Sequence, residues 1–209
     1  MNRIVFSNYD GSLVFMNNFE ELRQNVLSCT GCPLHKTRNN AVFGNGNPDA
    51  EIMLIAEAPG FYEDKSGVVF QGKSGKLLDK ILDASGFNRD EHVFISNIVK
   101  CRPPNNRQPN DSEKQACLPY LYNQIEIINP KIIILLGATA LKTMINPNAK
   151  ITQIRGQWID WKGKLVMPTY HPSVLLRNQN LKRPVWEDFK NIVGKYRELV
   201  NPEHYSAHC

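Results

Sequence analysis

Hydrophobic runs long enough to cross a membrane are missing from this chain of 209 residues. Its apolar stretches, such as residues 132–136, have the length of a strand and fall far short of the ~18 residues of a membrane span. The first 15 residues carry Asp10 where a secretory leader needs an unbroken apolar stretch, so a cytoplasmic protein with no membrane partner is expected. Cysteine is scarce and odd in number, five in all, which excludes a fully paired disulfide scaffold. Internal repeats and low-complexity tracts are absent. With 42% hydrophobic and 22% charged residues, the composition is that of an ordinary globular domain rather than a disordered or collagen-like chain. Lys and Arg number 25 against 20 Asp and Glu, a net charge of +5; that permits a polyanionic partner without demanding one.

What is present alternates between strand and helix patterns. Phe19, Leu22 and Val26 recur at helical spacing up to about Ser28. A buried strand is expected over 51–56, then a long loop over 57–73, then a helix capped by Ser74 and ended by Gly86. A strand over 92–99 leads into a proline- and arginine-rich loop over 100–110. Ser112 with Gln115 has capping-box spacing for a helix to about Ile128, with Pro119 expected to kink it or move its start. A strand over 131–136, a short helix over 138–145, two strands about a Lys162-Gly163 turn and a last helix over 184–200 complete the series. The expected fold is α/β, with three α/β/α layers around a central, mainly parallel sheet of about four strands. One domain is expected over 17–200, flanked by an extension at 1–16 and a tail at 201–209. Ligands of such folds bind at the carboxyl ends of the strands.

Cys29 and Cys32 form a C-x-x-C; 68 residues then separate Cys32 from Cys101, and 15 separate Cys101 from Cys117. A second pair brought beside the first by the fold would complete a four-cysteine ligand set, for zinc or for an iron-sulfur cluster. Spacing leaves the metal open. The competing reading, two small buried cysteines, fits poorly with the basic, proline-rich surroundings of Cys101. Cys209, at a terminus expected to fray, is the spare.

The run Gly67 to Ser74 satisfies G-x-x-x-x-G-K-S, the phosphate-cradling loop of nucleotide hydrolases. Such a loop leaves a strand directly, whereas here the preceding strand ends about ten residues earlier, and Val68-Val69-Phe70 is poorly suited to wrapping amides around phosphate. The match reads as coincidence, with nucleotide hydrolysis as a rival. Glu57, Phe70, Asn97 and His171 are ordinary residues singly, but all lie at the ends of the expected strands or in the loops leaving them and together define a candidate pocket. Lys65, Lys73, Lys76 and Lys80, then Lys100, Arg102 and Arg107, then Arg177, Lys182 and Arg183 gather around the same loops, a distribution suited to a nucleic-acid backbone.

In Cys29-x-x-Cys32-Pro-Leu, Val42-Phe43-Gly44-Asn45-Gly46-Asn47-Pro48, Glu57-Ala-Pro-Gly60, Phe70-x-Gly72-x-x-Gly75-x-Leu-Leu78, Asn97-Ile-Val-Lys-Cys101-Arg-Pro-Pro-x-Asn-Arg107, Leu136-Gly-Ala-Thr-Ala140 and His171-Pro-Ser-x-Leu-Leu-Arg177, the chain resembles the family 4 uracil-DNA glycosylases, the iron-sulfur branch of that superfamily. The resemblance covers about residues 19–197. It implies a 4Fe-4S cluster on Cys29, Cys32, Cys101 and Cys117, with a mainly structural role, and a uracil flipped out of DNA into the pocket. It further implies that Phe70 stacks on the uracil, Asn97 reads its edge, and His171 donates to the developing oxyanion. Glu57 and the backbone of Ala58 would line the pocket, and Leu175, Leu176 and Arg177 would fill the gap left in the stack. Uracil-containing DNA is then the partner of an expected monomer, with replication or repair proteins as further partners. The implied activity is monofunctional, hydrolytic excision of uracil in base excision repair; a metal-stabilised DNA-binding accessory without catalysis is the alternative. Ala56 replaces the Gly usual before the Glu, and Gln71 the common Val. The loop 101–109 holds no His, which favours turnover over the covalent capture of a related branch.

Overall fold

The computed structural model describes residues 18–209, so the expected extension at 1–16 lies outside the described residues. Helix α1 (Phe19–Leu27) starts where the Asn18 side chain accepts the amide of Glu20. Then follow β1 (Asn45–Gly46), β2 (Ile52–Ala56), α2 (Phe61–Ser66), α3 (Lys73–Ala84), β3 (Val93–Asn97), α4 (Asp111–Ile128), β4 (Ile132–Leu136), α5 (Ala138–Met144), α6 (Ile151–Ile154), β5 (Ile159–Trp161), β6 (Lys164–Thr169), α7 (Pro172–Arg177) and α8 (Lys182–Leu199), with 3-10 turns at Pro33–Lys36, Pro104–Asn106 and Gln179–Leu181. The strands form one sheet in the order β1-β3-β2-β4-β6-β5. Its four inner strands are parallel, as expected; the short antiparallel edges β1 and β5 bring the described total to six.

β2, β3 and β4 are wholly buried, which is why the first and last read as unbroken apolar runs: helices cover both faces. Met53, Ile55, Ile133 and Leu135 pack with Leu22 and Val26 of α1, Leu121 and Ile125 of α4 and Ala140 of α5. Their alternates Ile52, Leu54, Ile132 and Ile134 pack with Leu78 and Leu82 of α3, Leu175 of α7 and Phe189 and Ile192 of α8. The three-layer α/β/α class is therefore observed.

Several boundaries differ from expectation. α2 interrupts the loop expected over 57–73. α3 begins after Gly72, not at a Ser74 cap. α4 is capped two residues earlier than Ser112-Gln115 would place it: Asn110 Oδ1 accepts the Glu113 amide at 2.9 Å and Glu113 Oε2 accepts the Asn110 amide at 2.8 Å, the reciprocal pair of a capping box. It then runs on through Pro119. The tail is not frayed. His204 is buried and stacks on Phe87 with ring centroids 4.6 Å apart, the Ser206 hydroxyl donates to the Ala84 carbonyl, and Arg197 donates to the carbonyls of His204 and Cys209.

Because the inner strands are parallel, β2, β3, β4 and β6 all end on one edge of the sheet. Glu57, Asn97, Gly137 and His171 are thereby delivered together.

Candidate active site

A cleft of about 290 Å³ opens at that edge, lined by Glu57, Ala58, Pro59, Gly60, Glu63, Phe70, Ser74, Asn97, Pro103, Asn106, Arg107, His171 and Ser173. The structure thus unites Glu57, Ala58, Phe70, Asn97 and His171. Phe70 and His171 are stacked, with centroids 5.5 Å apart and planes 23° from parallel. Phe70 holds a left-handed backbone (φ 54°), and its carbonyl lies where a Cβ on Gly75 would sit, so only glycine there lets α3 approach the loop.

His171 caps α7. Its Nδ1 accepts the Ser173 amide at 3.1 Å and lies 2.8 Å from the Ser173 hydroxyl. An amide can only donate, so Nδ1 carries no proton and the neutral ring bears it on Nε2. Burial pulls the imidazole down to about 4; nearby Glu63 opposes this and Arg177 adds to it. At neutral pH the cleft therefore holds an uncharged N–H donor. The folded state keeps the ring neutral while the unfolded chain takes up a proton below about pH 6.5, so the associated stability is complete above that pH and lost progressively towards pH 4. Between about pH 7.5 and about pH 5, urea unfolding should show the wild type losing about 2 kcal/mol more than His171→Leu. Equal losses would contradict a His171 kept neutral in the fold.

Asn97 ends β3, buried, with its side chain on the cleft; among the described residues its amide has no hydrogen-bond partner. Behind it, Lys100 contradicts its expected place on a basic rim. It is 2% exposed and its Nζ donates to Ser96 Oγ, the Asn97 carbonyl and Gln124 Oε1 at 2.6, 2.8 and 2.7 Å, while burial lowers its pKa to about 8. Arg107 is also committed: both of its Nη atoms bind the Glu113 carboxylate, whose pKa that contact lowers, tying the cleft loop to α4. Lys65, Lys73, Lys76, Lys80, Arg177, Lys182 and Arg183 remain exposed around the site. Glu57 accepts the Thr139 hydroxyl on Oε2, so one carboxylate oxygen is fixed by α5.

Leu175 corrects the expected three-residue wedge. It is 1% exposed and belongs to the core beneath α7, because helical spacing turns it inward while Leu176, 45% exposed, and Arg177 point out. The phosphate-loop match fails for a physical reason. The amides of Gln71 and Gly72 donate to Glu63 Oε1, and that of Gly60 to Oε2. A carboxylate already occupies the donors a phosphate would need. Glu63 was missed in the sequence, where the capping spacing Gly60-x-x-Glu63 is the signal that could have found it; Thr139 and Ser173 lie inside quoted motifs without an expected role. The Gln71 side chain is exposed, reaching the Val69 carbonyl, and Ala56 is buried beside Asn97.

On the α1 and α4 side, Cys29, Cys32, Cys101 and Cys117 line a second cavity with Arg38, Lys100 and Tyr120. Cys101 and Cys117 are buried, contrary to the exposed surroundings that sequence suggests for Cys101. N–H donors face the sulfurs: Arg38 Nη1 to Cys101 at 3.0 Å, the Lys100 amide to Cys117 at 3.2 Å and the Gly31 amide to Cys29 at 3.4 Å. Burial pushes the Cys117 thiol up to about 12 and raises Cys32 and Cys101 as well. No group of three or more His, Cys, Asp or Glu placed to hold a single metal ion occurs among the described residues.

Residues 43–190 match the family model of the uracil DNA glycosylase superfamily. The chain is 50% identical over 175 residues to a type-4 uracil-DNA glycosylase of Thermotoga maritima, covering 82% of this chain and 91% of that one. It is 46% identical over 201 residues to a type-4 uracil-DNA glycosylase of Sulfurisphaera tokodaii, covering 91% and 89%. Similarity to a type-5 uracil-DNA glycosylase of Pyrobaculum aerophilum is lower, 29% identity covering 85% and 91%.

Proposed function

The chain belongs to the uracil DNA glycosylase superfamily, and from that premise we propose that its cleft receives a uracil flipped out of DNA and its residues divide the work of hydrolysing the N-glycosidic bond. The protein is a DNA-repair glycosylase that excises uracil. One observation carries the assignment of roles: a neutral imidazole N–H, an unpartnered Asn amide and a half-fixed carboxylate share one cleft at the sheet edge.

Flipping exchanges stacking in the duplex for contact with Phe70. The Asn97 amide donates to one uracil carbonyl and accepts the ring N–H, whereas cytosine offers the reversed pattern. As the C1′–N1 bond breaks, its electron pair passes to the uracil ring, and His171 Nε2–H donates to the oxygen where the charge gathers. A neutral donor stabilises this anion without protonating it beforehand. The free Glu57 oxygen faces the cationic sugar and orients a water whose oxygen bonds to C1′; the proton this water loses passes to Glu57 and then to the uracil anion, which leaves as neutral uracil. Among the described residues no lysine lines the cleft, and we read the enzyme as monofunctional, without a Schiff base. Leu176 and Arg177, on the outer face of α7, occupy the vacated stack.

The second cavity fits a 4Fe-4S cluster: four thiols from three separated segments, with amide and guanidinium donors aimed at sulfur, suit thiolates carrying delocalised negative charge. When bound, such a cluster contributes structural cross-linking and no chemistry at the uracil. Cys29 and Cys32 would anchor the end of α1, Cys101 the loop beyond Asn97, and Cys117 α4.

An oligonucleotide with one uracil tests the division of roles. Asn97→Ala should lower the rate of base release at least tenfold, the loss of paired hydrogen bonds to the base, while DNA without uracil is bound as tightly as by the wild type. Unchanged release would remove Asn97 from uracil recognition.

A further inference from the structure

Large apolar side chains exposed among the described residues are few, and two of them are adjacent at the lip of the cleft: Phe61 is 52% and Tyr62 60% exposed. Both are on α2, between Gly60 and Glu63, which line the cleft. Their rings meet edge to face with centroids 5.4 Å apart. The Arg102 guanidinium lies 5.3 Å from the Phe61 centroid, and its Nε donates to Asn106 Oδ1, another cleft residue, at 2.7 Å. Tyr62 rests against Gly72, which caps α3. The pair thus stands on anchored backbone: Glu63 clamps Gly60, Gln71 and Gly72 on one side, and Arg102 bridges to the loop after β3 on the other.

A single exposed aromatic is unremarkable, but this arrangement costs solvation without filling the core. Aromatic faces beside cationic groups are what an unpaired nucleotide strand engages, through base stacking and phosphate contacts. Lys65, four residues beyond Phe61 on α2, and Lys73, beside Gly72, are exposed and add charge of the right sign.

We propose that Phe61, Tyr62 and Arg102 form a stacking shelf for an unpaired base next to the flipped uracil, so that part of the protein's affinity is specific to single-stranded DNA. This inference rests on the glycosylase reading of the cleft. In a duplex the neighbouring base is held by its pairing partner and by stacking, so the shelf has no free ring face to receive.

The test compares wild type with the Phe61→Ala/Tyr62→Ala double variant on labelled oligonucleotides holding a non-hydrolysable 2′-fluorinated deoxyuridine, single-stranded and paired. Affinity for the single strand should fall about tenfold or more, as loss of a base–aromatic stack does, and duplex affinity less than about threefold. The slope of affinity against salt should be unchanged, because no phosphate contact is removed. Phe61→Tyr/Tyr62→Phe, which keeps both rings, should retain single-strand affinity. Equal losses on the two DNAs, no loss on either, or loss in the ring-retaining variant would overturn the shelf. Uracil release by the wild type is measured on the same sequence with ordinary deoxyuridine: no release would overturn the glycosylase reading itself, whereas release with unaltered variant affinities would overturn only the shelf.

Discussion

His171→Ala should slow uracil release in a single turnover by about 10²- to 10³-fold, the usual cost of removing one donor aimed at a developing oxyanion. The size of the effect follows from preorganisation of the donor. A donor facing charge in a buried pocket acts in a low dielectric and needs no reorganisation at the moment the bond breaks. His171 is held ready by the Ser173 amide on Nδ1, by the Phe70 ring on its face and by burial that keeps it uncharged. The change also removes the stacking partner of Phe70, so uracil binding should weaken alongside, by less than the rate falls. His171→Gln, which restores a neutral N–H near the same place, should recover part of the rate. Quenched-flow measurement of base release at saturating enzyme gives the rate directly. A loss below about fivefold would show that His171 is not the donor to the leaving base.

The other large effect concerns the cysteine cavity. Cys117→Ser should abolish visible absorbance, iron and acid-labile sulfide together, and should lower stability by about 4 kcal/mol or more, the scale of losing a structural metal centre. For a chain of this size that corresponds to a fall in Tm of about 10 °C. The physical basis is topological: Cys29 and Cys32 follow α1, Cys101 follows β3, and Cys117 lies within α4. Cross-linking three separated segments restricts the unfolded chain more than any local contact does. Cys209→Ser, which alters a residue outside the cavity, should keep iron and sulfide. A colourless wild type containing one zinc, or a Cys117→Ser protein with its full complement of iron, would contradict the cluster.

Much of the frame was legible because buried parallel strands leave a strong mark. Residues 52–56 and 132–136 can be little else, and their ends point to Glu57 and Gly137. Asn97 and His171 were legible for the same reason. What sequence concealed arose where tertiary partners outweigh local pattern. α2 has six residues with no apolar stripe; it forms because Glu63 finds three amides. Ser112-Gln115 and Asn110-Glu113 are both capping spacings, and the second prevails because Glu113 also receives Arg107. Lys100 reads as a surface cation, yet three oxygen acceptors give it a buried place under Asn97. Leu175 and Leu176 are indistinguishable as letters; the short helix α7 sends one into the core and the other to solvent. The tail looked superfluous because its anchor, His204 on Phe87, joins residues far apart in the chain.

The most direct measurement is the product released when the wild-type protein meets DNA carrying one uracil. The expected result is free uracil in the supernatant and an abasic site that breaks only on treatment with alkali, while matched strands with cytosine or thymine stay intact and borohydride traps no protein–DNA adduct. Salt-dependent binding to the same DNA with no uracil released would contradict it, leaving a DNA-binding protein without the chemistry that its cleft is built to perform.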